Sequence, residues 1–470
     1  MGEARHKNVL LILVDQWRGD CLSSLGHPVV KTPFLDDLAK DGVMFGACYA
    51  QAPSCIPARA CLATGKSPYG CGRIGYSDKI PWTYDKTLMH GFRDAGYQTI
   101  NVGKTHFYPQ RNHLGFEINE LYDPQRLDAG FISDYHAWLE KETRGSVKDP
   151  AMEWSNNSWV ALPWQGDDEY HPSQWTVSKA QELLNKRDTT RPFFMQLSFH
   201  RPHPPYDAPE FYTKYYEDEV LPEPPVGSWA KGLDKKTVMI DATSGRISDK
   251  QSIRMRKAYY ASITHVDHMI GRMLHWLKEH DLYSSTTIVF VSDHGELLGD
   301  HYMYRKVTPF EGSARIPLII KPGSGLEPKI VQPNEVVASH FDILPTLYNL
   351  MDIELPGGVE GMDLFHPIER EFIHGEHTGY GQEGWHFLTN GKWKYIYETY
   401  SAREWYFDLS ADPKELNNQI QCESSTKQKR IDACRRALIE RIEKRPEYGF
   451  VHNHQLTTCP RMPDYLAKKS

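Results

Sequence analysis

The residue pattern that most readily supports chemistry is Pro53-Ser54-Cys55-Ile56-Pro57-Ala58-Arg59. A cysteine stands two residues before a proline and four before an arginine, and an Ala-rich run follows to Thr64-Gly65. Pro57 suits the first turn of a helix, where its missing N–H is no loss, and Gly65 suits the far end. Cys55 then falls at a helix N-terminus, where free N–H groups and the dipole favour an anion. Arg59, one turn on, returns to the same side. Position 55 therefore reads as a reactive group in an oxyanion site. Taken singly, a free cysteine is most often a buried small hydrophobe, so the remainder of the chain has to supply the rest of such a site.

Four apolar runs end in residues that could do so. Residues 8–14 (NVLLILV) lead into Asp15-Gln16, and 97–102 into Gly103-Lys104-Thr105-His106. Residues 192–199 (PFFMQLSF) lead into His200-Arg201-Pro202-His203, and 286–292 (TTIVFVS) into Asp293-His294. Unbroken apolar runs are how strands buried on both faces of a parallel sheet read. Open α/β sheets bind ligands in the crevice beyond the carboxyl ends of their strands. One polar tip would mean little, since Asp and His often cap turns; four in one chain imply a shared site. Asp15, Gln16, Asp293 and His294 are candidate metal ligands. Two carboxylates and an amide oxygen suit Ca²⁺ or Mg²⁺, and the imidazole leaves Mn²⁺ open. Each alone has a plainer reading, Asp15 as a helix N-cap and His294 as a turn histidine.

The elements that must position these residues alternate. Helical signals cover 33–40, 86–95, 175–187 and 339–351, and a further strand covers 317–320. Residues 251–280 form a long amphipathic helix, with Tyr259, Ile263, Val266, Ile270, Leu274 and Leu277 on one stripe. Strands alternating with helices give a doubly wound α/β sheet. Residues 107–175 lack periodicity and read as long loops over the sheet. After 367 the texture changes. Residues 391–397 and 405–409 read as short antiparallel strands, and 426–443 as a closing helix. Two units are expected: a catalytic domain over 1–366 and a smaller antiparallel-sheet subdomain over 367–470.

The chain has 470 residues and a net charge of −7, which excludes a basic nucleic-acid footprint. No apolar run approaches the roughly 20 residues that span a bilayer. The first seven residues lack the apolar core of a signal peptide. There are eight cysteines, without a C-x-x-C pair of zinc spacing. If Cys55 is modified, the odd remainder cannot all pair. Reduced thiols and a cytoplasmic location are the expectation.

The C-x-P-x-R segment resembles the signature of the type I sulfatases (arylsulfatases) of the alkaline phosphatase superfamily. In that family this cysteine is oxidised after translation to Cα-formylglycine, whose hydrated gem-diol attacks sulfur. The resemblance extends over nearly the whole chain, least over 107–190. Gly96 to His106 matches the second signature, G-Y-x-T-x-x-V-G-K-x-H. It implies that Lys104 binds the sulfate and that His106 orients the diol. The run His200 to Pro205 (HRPHPP) matches H-x-P-H-x-P, with His203 as the catalytic histidine and His200 as a second choice that binds substrate. Lys306, in Tyr304-Arg305-Lys306-Val307, matches the sulfate-contacting lysine, which unaided would read as a surface lysine. Asp293-His294 matches the second ligand pair. Asp15-Gln16 departs from the commoner Asp-Asp and resembles the choline sulfatases and the phosphonate monoester hydrolases. The modified residue 55 would join Asp15, Gln16, Asp293 and His294 at the metal.

The resemblance implies an alkaline-phosphatase-like mixed sheet and a sulfuric ester hydrolase. Its partners would be a sulfate ester and a formylglycine-generating maturation enzyme, with no nucleic acid and no membrane; a homo-oligomer is left open. A carbohydrate sulfate is the first expectation for the substrate, with aryl sulfates also turned over. A phosphonate monoester or phosphodiester hydrolase on the same scaffold is the alternative. Trp154, Trp159, Trp164, Tyr170, Trp385 and His386 could stack on a sugar or aryl ring, or could equally pack loops onto the sheet.

Overall fold

The Asn8–Asp15 strand, buried along its whole length, is the middle of a seven-stranded sheet. In this computed structural model residues 7–466 are described, except 125, 127–129, 154–156, 236–237, 327–332, 334, 380–382, 446–447 and 460–461. The strand order is Val43–Met44, Leu318–Lys321, Thr286–Ser292, Asn8–Asp15, Phe193–Pro202, Gln98–Gly103, Ile118–Leu121. Asn8–Asp15 runs parallel to both neighbours. Leu318–Lys321 is antiparallel to Thr286–Ser292, so the sheet is mixed.

Period-two alternation divides the core. Leu10, Ile12 and Val14 face a layer that includes Leu35, Leu38, Ala180, Ile263 and Ile270. Those residues belong to the helices Pro33–Asp41, Pro172–Asn185 and Asp249–Glu279. Val9, Leu11 and Leu13 face the other layer, with Ile56, Ala60, Leu88, Phe92 and Leu347. Those come from Cys55–Thr64, Leu88–Asp94 and Ile343–Leu350. The 31-residue helix Asp249–Glu279 buries the whole expected stripe. It opens with a capping box in which Ser248 and Gln251 satisfy each other's N–H groups.

The register brings the four polar tips together. Val14 pairs with Ser292, so Asp15 and Asp293 emerge side by side. Gly103 pairs with Ser198, which sets Lys104 beside the end of Phe193–Pro202. Gly103 has φ 104°, and a Cβ there would lie 1.9 Å from the Ser198 carbonyl oxygen, so glycine is the residue the strand end admits.

Two corrections to the sequence reading follow, and one of its open alternatives is observed. Residues 107–175 are not all loop. They contain the edge strand Ile118–Leu121 and the helix Asp134–Thr143, capped by Ser133 and buried through Tyr135, Leu139 and Thr143. The i, i+4, i+8 spacing of those three was a readable signal that the surrounding Trp- and Asp-rich loops obscured. A three-stranded sheet, Val337–Ser339, Ala47–Tyr49 and Arg315–Ile316, was missed because strands of two or three residues carry no period. Of the aromatic stretch, Trp154 lies outside the described residues, and the others pack. Trp159 donates to the Met239 carbonyl, Trp164 to that of Asp167, and Tyr170 sits against Trp138.

The strands Ile373–His377, Trp385–Thr389, Lys394–Glu398 and Glu404–Phe407 form a separate antiparallel sheet. One face packs Phe387, Ile396 and Phe407 on Tyr49, Phe310 and Ala314 of the larger unit. The other takes Ile431, Cys434 and Leu438 of the helix Ser425–Ile442 against Leu388, Tyr395 and Tyr406. None of the eight cysteines is in a disulfide. Among the described residues no helix is long and apolar enough to cross a membrane.

Candidate active site

The helix Cys55–Thr64 is buried at every position and ends at Gly65, whose φ of 65° and N–H bond to the Cys61 carbonyl close it. Its first residue points at the strand tips. Cys55 Sγ lies 3.2 Å from His294 Nε2 and 3.7 Å from Asp15 Oδ1. One turn on, Arg59 is spent on the two carboxylates. Its Nε donates to Asp293 Oδ2 at 2.9 Å and its Nη2 to Asp15 Oδ2 at 3.4 Å. Its Nη1 ties in the Lys104 carbonyl at 2.8 Å and Ser198 Oγ at 3.2 Å. Lys104 Nζ pairs with Asp15 Oδ2 as well.

Gln16 adopts φ 70°, a left-handed conformation that costs a non-glycine residue free energy. The turn aims its backbone N–H at Asp293 Oδ1, 3.1 Å away. Its side-chain amide donates to Glu296 Oε2, which leaves Oε1 facing inward, 2.6 Å from Lys306 Nζ. Lys306 also lies 2.9 Å from His203 Nε2. Val307, next along, takes φ 78° and is pinned between Pro53, which accepts its N–H, and Trp385, which donates to its carbonyl. The lysine read as a surface residue from its own neighbours is thus 5% exposed.

Tautomers follow from backbone partners. His294 Nδ1 sits 2.9 Å from the Gly295 carbonyl and must donate to it, so Nε2 carries the lone pair. That lone pair faces Asp15 Oδ1 and Asp293 Oδ1, each 3.6 Å away. Three acceptor atoms thus converge beside the Cys55 thiol, and carboxylate and imidazole donors suit a divalent ion. The side chains of Asp15, Asp293, His294 and Cys55 place a ligand atom each within 4.8 Å of the others. Gln16 Oε1 borders this cluster through Lys306. The donor set therefore fits the metal expected from the sequence.

His203 donates Nδ1–H to the Pro204 carbonyl and accepts from Lys306 at Nε2. His200 accepts at Nδ1 from Arg201 Nη1, 2.7 Å away, and its buried Nε2 has no partner. The two rings lie 4.7 Å apart. His106, at φ 62°, rests Nε2 against Tyr76 Oη at 3.3 Å, and its Nδ1 is buried without a partner. All the sequence-derived site residues thus fall in one buried region. Sequence reasoning missed Glu296, Ser198 and His340, whose Nε2 donates to the Ser292 carbonyl at 2.7 Å. No motif of its own marks any of the three.

The electrostatics are those of an anion site. Burial opposes ionisation of Asp15, but the positive groups around it, Lys104 foremost, hold its carboxyl well below the ordinary range. Burial lowers His203 well below its usual value, with Lys306 adding to the effect, and lowers His106 with Lys104 adding. Burial, then Asp15, push the Cys55 thiol up to about 11. A thiol so held is protonated near neutrality, which makes Cys55 a poor thiolate nucleophile. Arg59, Lys104 and Lys306 outnumber Asp15 and Asp293 by one formal charge before any metal is counted.

Comparison with known proteins agrees. A family model described as Sulfatase matches residues 7–353. The chain is 40% identical over 469 residues to an arylsulfatase of Clostridium perfringens, spanning 96% of this chain and 97% of that one. It is 32% identical over 440 residues to a choline-sulfatase of Rhizobium meliloti, spanning 87% and 82%. The solved phosphonate monoester hydrolase of Agrobacterium radiobacter superposes with a TM-score of 0.76 at 25% identity, covering 93% of this chain and 96% of that one. Fold and site define an α/β enzyme of the alkaline phosphatase superfamily. Within it, the chain belongs to the sulfatase family and is a sulfuric ester hydrolase.

Proposed function

We propose that the chain cleaves sulfate monoesters, carbohydrate sulfates first and aryl sulfates also, with residue 55 as nucleophile after its oxidation to Cα-formylglycine by a maturation enzyme. The observation that carries this reading is the placement of Cys55 Sγ among two carboxylates, one imidazole lone pair and three cations. A thiol there is idle, whereas a hydrated aldehyde would present one hydroxyl to sulfur and keep a second with which to expel sulfate. Asp15, Asp293, His294, residue 55 and Gln16 Oε1 would hold the metal, Ca²⁺ in the first instance, with Mg²⁺ or Mn²⁺ as substitutes. Bound there, a divalent cation would polarise the ester oxygens and favour ionisation of the attacking hydroxyl.

The remaining roles belong to the protein. Arg59 aligns the two carboxylates. Lys104 and Lys306 donate to the equatorial ester oxygens, where such preorganised charge is the largest expected catalytic contribution. Neutral His203 shares the Lys306 proton across 2.9 Å, and this pair delivers it to the leaving alcohol. His106 receives a proton from the second hydroxyl as sulfate departs; its unpartnered Nδ1 supports that assignment.

Beyond Lys306 the site opens into a cleft of about 370 Å³ lined by Trp229, Trp385, Trp405, Glu383, Glu398 and Arg403. Aromatic faces interleaved with polar groups suit a sugar ring better than a bare aryl ring. The second reading is phosphonate monoester hydrolysis, favoured by Gln16 where a second carboxylate is commoner. One preparation assayed on 4-nitrophenyl sulfate and 4-nitrophenyl phenylphosphonate separates the two. The proposal expects at least tenfold higher kcat/KM for the sulfate, about 1.4 kcal/mol of transition-state preference. The reverse order would establish the second reading instead.

A further inference from the structure

A second cluster of metal-ligating side chains lies outside the active site, on the first two strands of the C-terminal sheet. His374 and Glu376, two residues apart on Ile373–His377, share a face of their strand. His386, on Trp385–Thr389, pairs directly with Glu376. His374 Nε2 lies 3.0 Å from His386 Nδ1, which lies 3.8 Å from Glu376 Oε2. All three residues are buried, and their ligand atoms lie within 4.8 Å of one another. Donors around a tetrahedral zinc sit about 3.3 Å apart, given Zn–N and Zn–O bonds near 2.0–2.1 Å.

The hydrogen bonding leaves this cluster incomplete. His374 and His386 meet nitrogen to nitrogen, and one proton at most can lie between them. The remaining nitrogen of His386, Nε2, is buried with no partner. Glu376 is held by Arg445 Nη1, 3.0 Å from Oε1 and 2.9 Å from Oε2, and by Tyr448 Oη, which donates to Oε2 at 2.6 Å. Metal-bound carboxylates are held by outer hydrogen bonds of this kind. His374 reaches a cleft of about 430 Å³, which gives an ion a way in and a water room to complete the coordination.

We propose that His374, Glu376 and His386 bind a second divalent cation of zinc type, separate from the active-site metal. Two imidazoles and one carboxylate prefer zinc over calcium, the opposite of the hard donor set at Asp15 and Asp293. The ion would fasten the first two strands of the C-terminal sheet to each other. Gln51 ties that sheet to the segment that leads into the nucleophile helix: its Nε2 donates to the His374 carbonyl at 2.9 Å, and its carbonyl accepts the Glu376 N–H at 2.7 Å.

The test is a zinc titration of the full chain, stripped with chelator and held in excess Ca²⁺ to saturate the active site, with bound zinc measured by elemental analysis. One equivalent is expected in the wild type and in Asp293→Asn. None is expected at the same zinc concentration in His386→Gln or His374→Gln. Cobalt in place of zinc should give the visible bands of a tetrahedral site in the wild type and lose them in the histidine variants. Absence of a stoichiometric zinc from the wild type would overturn the proposal, since that result needs no variant to fold. Loss of the ion in Asp293→Asn with retention in His386→Gln would also overturn it.

Discussion

Glu296 shows how much of the site lies one layer behind the residues that touch substrate. Its Oε2 accepts from the Gln16 amide and its Oε1 from the backbone N–H groups of Leu298 and Arg305. A carboxylate that can only accept fixes which way the Gln16 amide faces, and so which atom faces Lys306. Glu296→Gln removes that certainty. The divalent-cation concentration for half-maximal activity should rise about 10–100-fold, with kcat at saturating metal little changed. A metal titration of activity checks it. Lys306→Ala removes a donor to the developing charge and should lower kcat about 10²–10³-fold, read from steady-state kinetics. Cys55, Arg59, Lys104 and the histidine pair were legible because each sits in a compact motif. Glu296 and Ser198 were not, because they act on partners 280 and 139 positions away with no local pattern to announce them.

At the scale of elements, Gly103 tests whether strand pairing is what places Lys104. Any side chain there meets the Ser198 carbonyl at 1.9 Å in a left-handed backbone conformation. Gly103→Ala should cost about 3 kcal/mol or more and remove activity with it. Gly26, at φ 79° with nothing within 4 Å of an added Cβ, is the control: Gly26→Ala should cost about 1 kcal/mol from backbone strain alone. Urea melts of both variants give the comparison. The long strands and the 31-residue helix could be read from the sequence because they bury whole faces. Val337–Ser339 and Arg315–Ile316 could not, because they are held by pairing and not by a period of their own.

For the molecule as a whole, the sheet order is what turns four separate tips into one site. Thr286–Ser292, Asn8–Asp15, Phe193–Pro202 and Gln98–Gly103 are consecutive neighbours, so their carboxyl ends form a single edge. Alternating strands and helices predicted the sheet, and the tips predicted the convergence; neither could give the order. Acid stability is also a property at this scale. His27 Nδ1 accepts the N–H groups of Val29 and Val30, and burial lowers its pKa to about 4 from 6.5. Between those values the unfolded chain binds the extra proton, so stability is full above about pH 6.5 and is lost as pH falls toward 4. His27→Asn keeps an acceptor oxygen in place without a titrating group. Thermal melts from pH 7 to pH 4.5 should show a shallower loss for this variant than for the wild type.

The most direct measurement sets specific activity on 4-nitrophenyl sulfate against the fraction of residue 55 present as aldehyde. Mass spectrometry of the peptide spanning Cys55 gives that fraction in preparations made with graded amounts of the maturation enzyme. Activity should rise in proportion to the aldehyde and vanish where residue 55 is wholly cysteine. Full turnover by protein carrying only cysteine at position 55 would contradict the account.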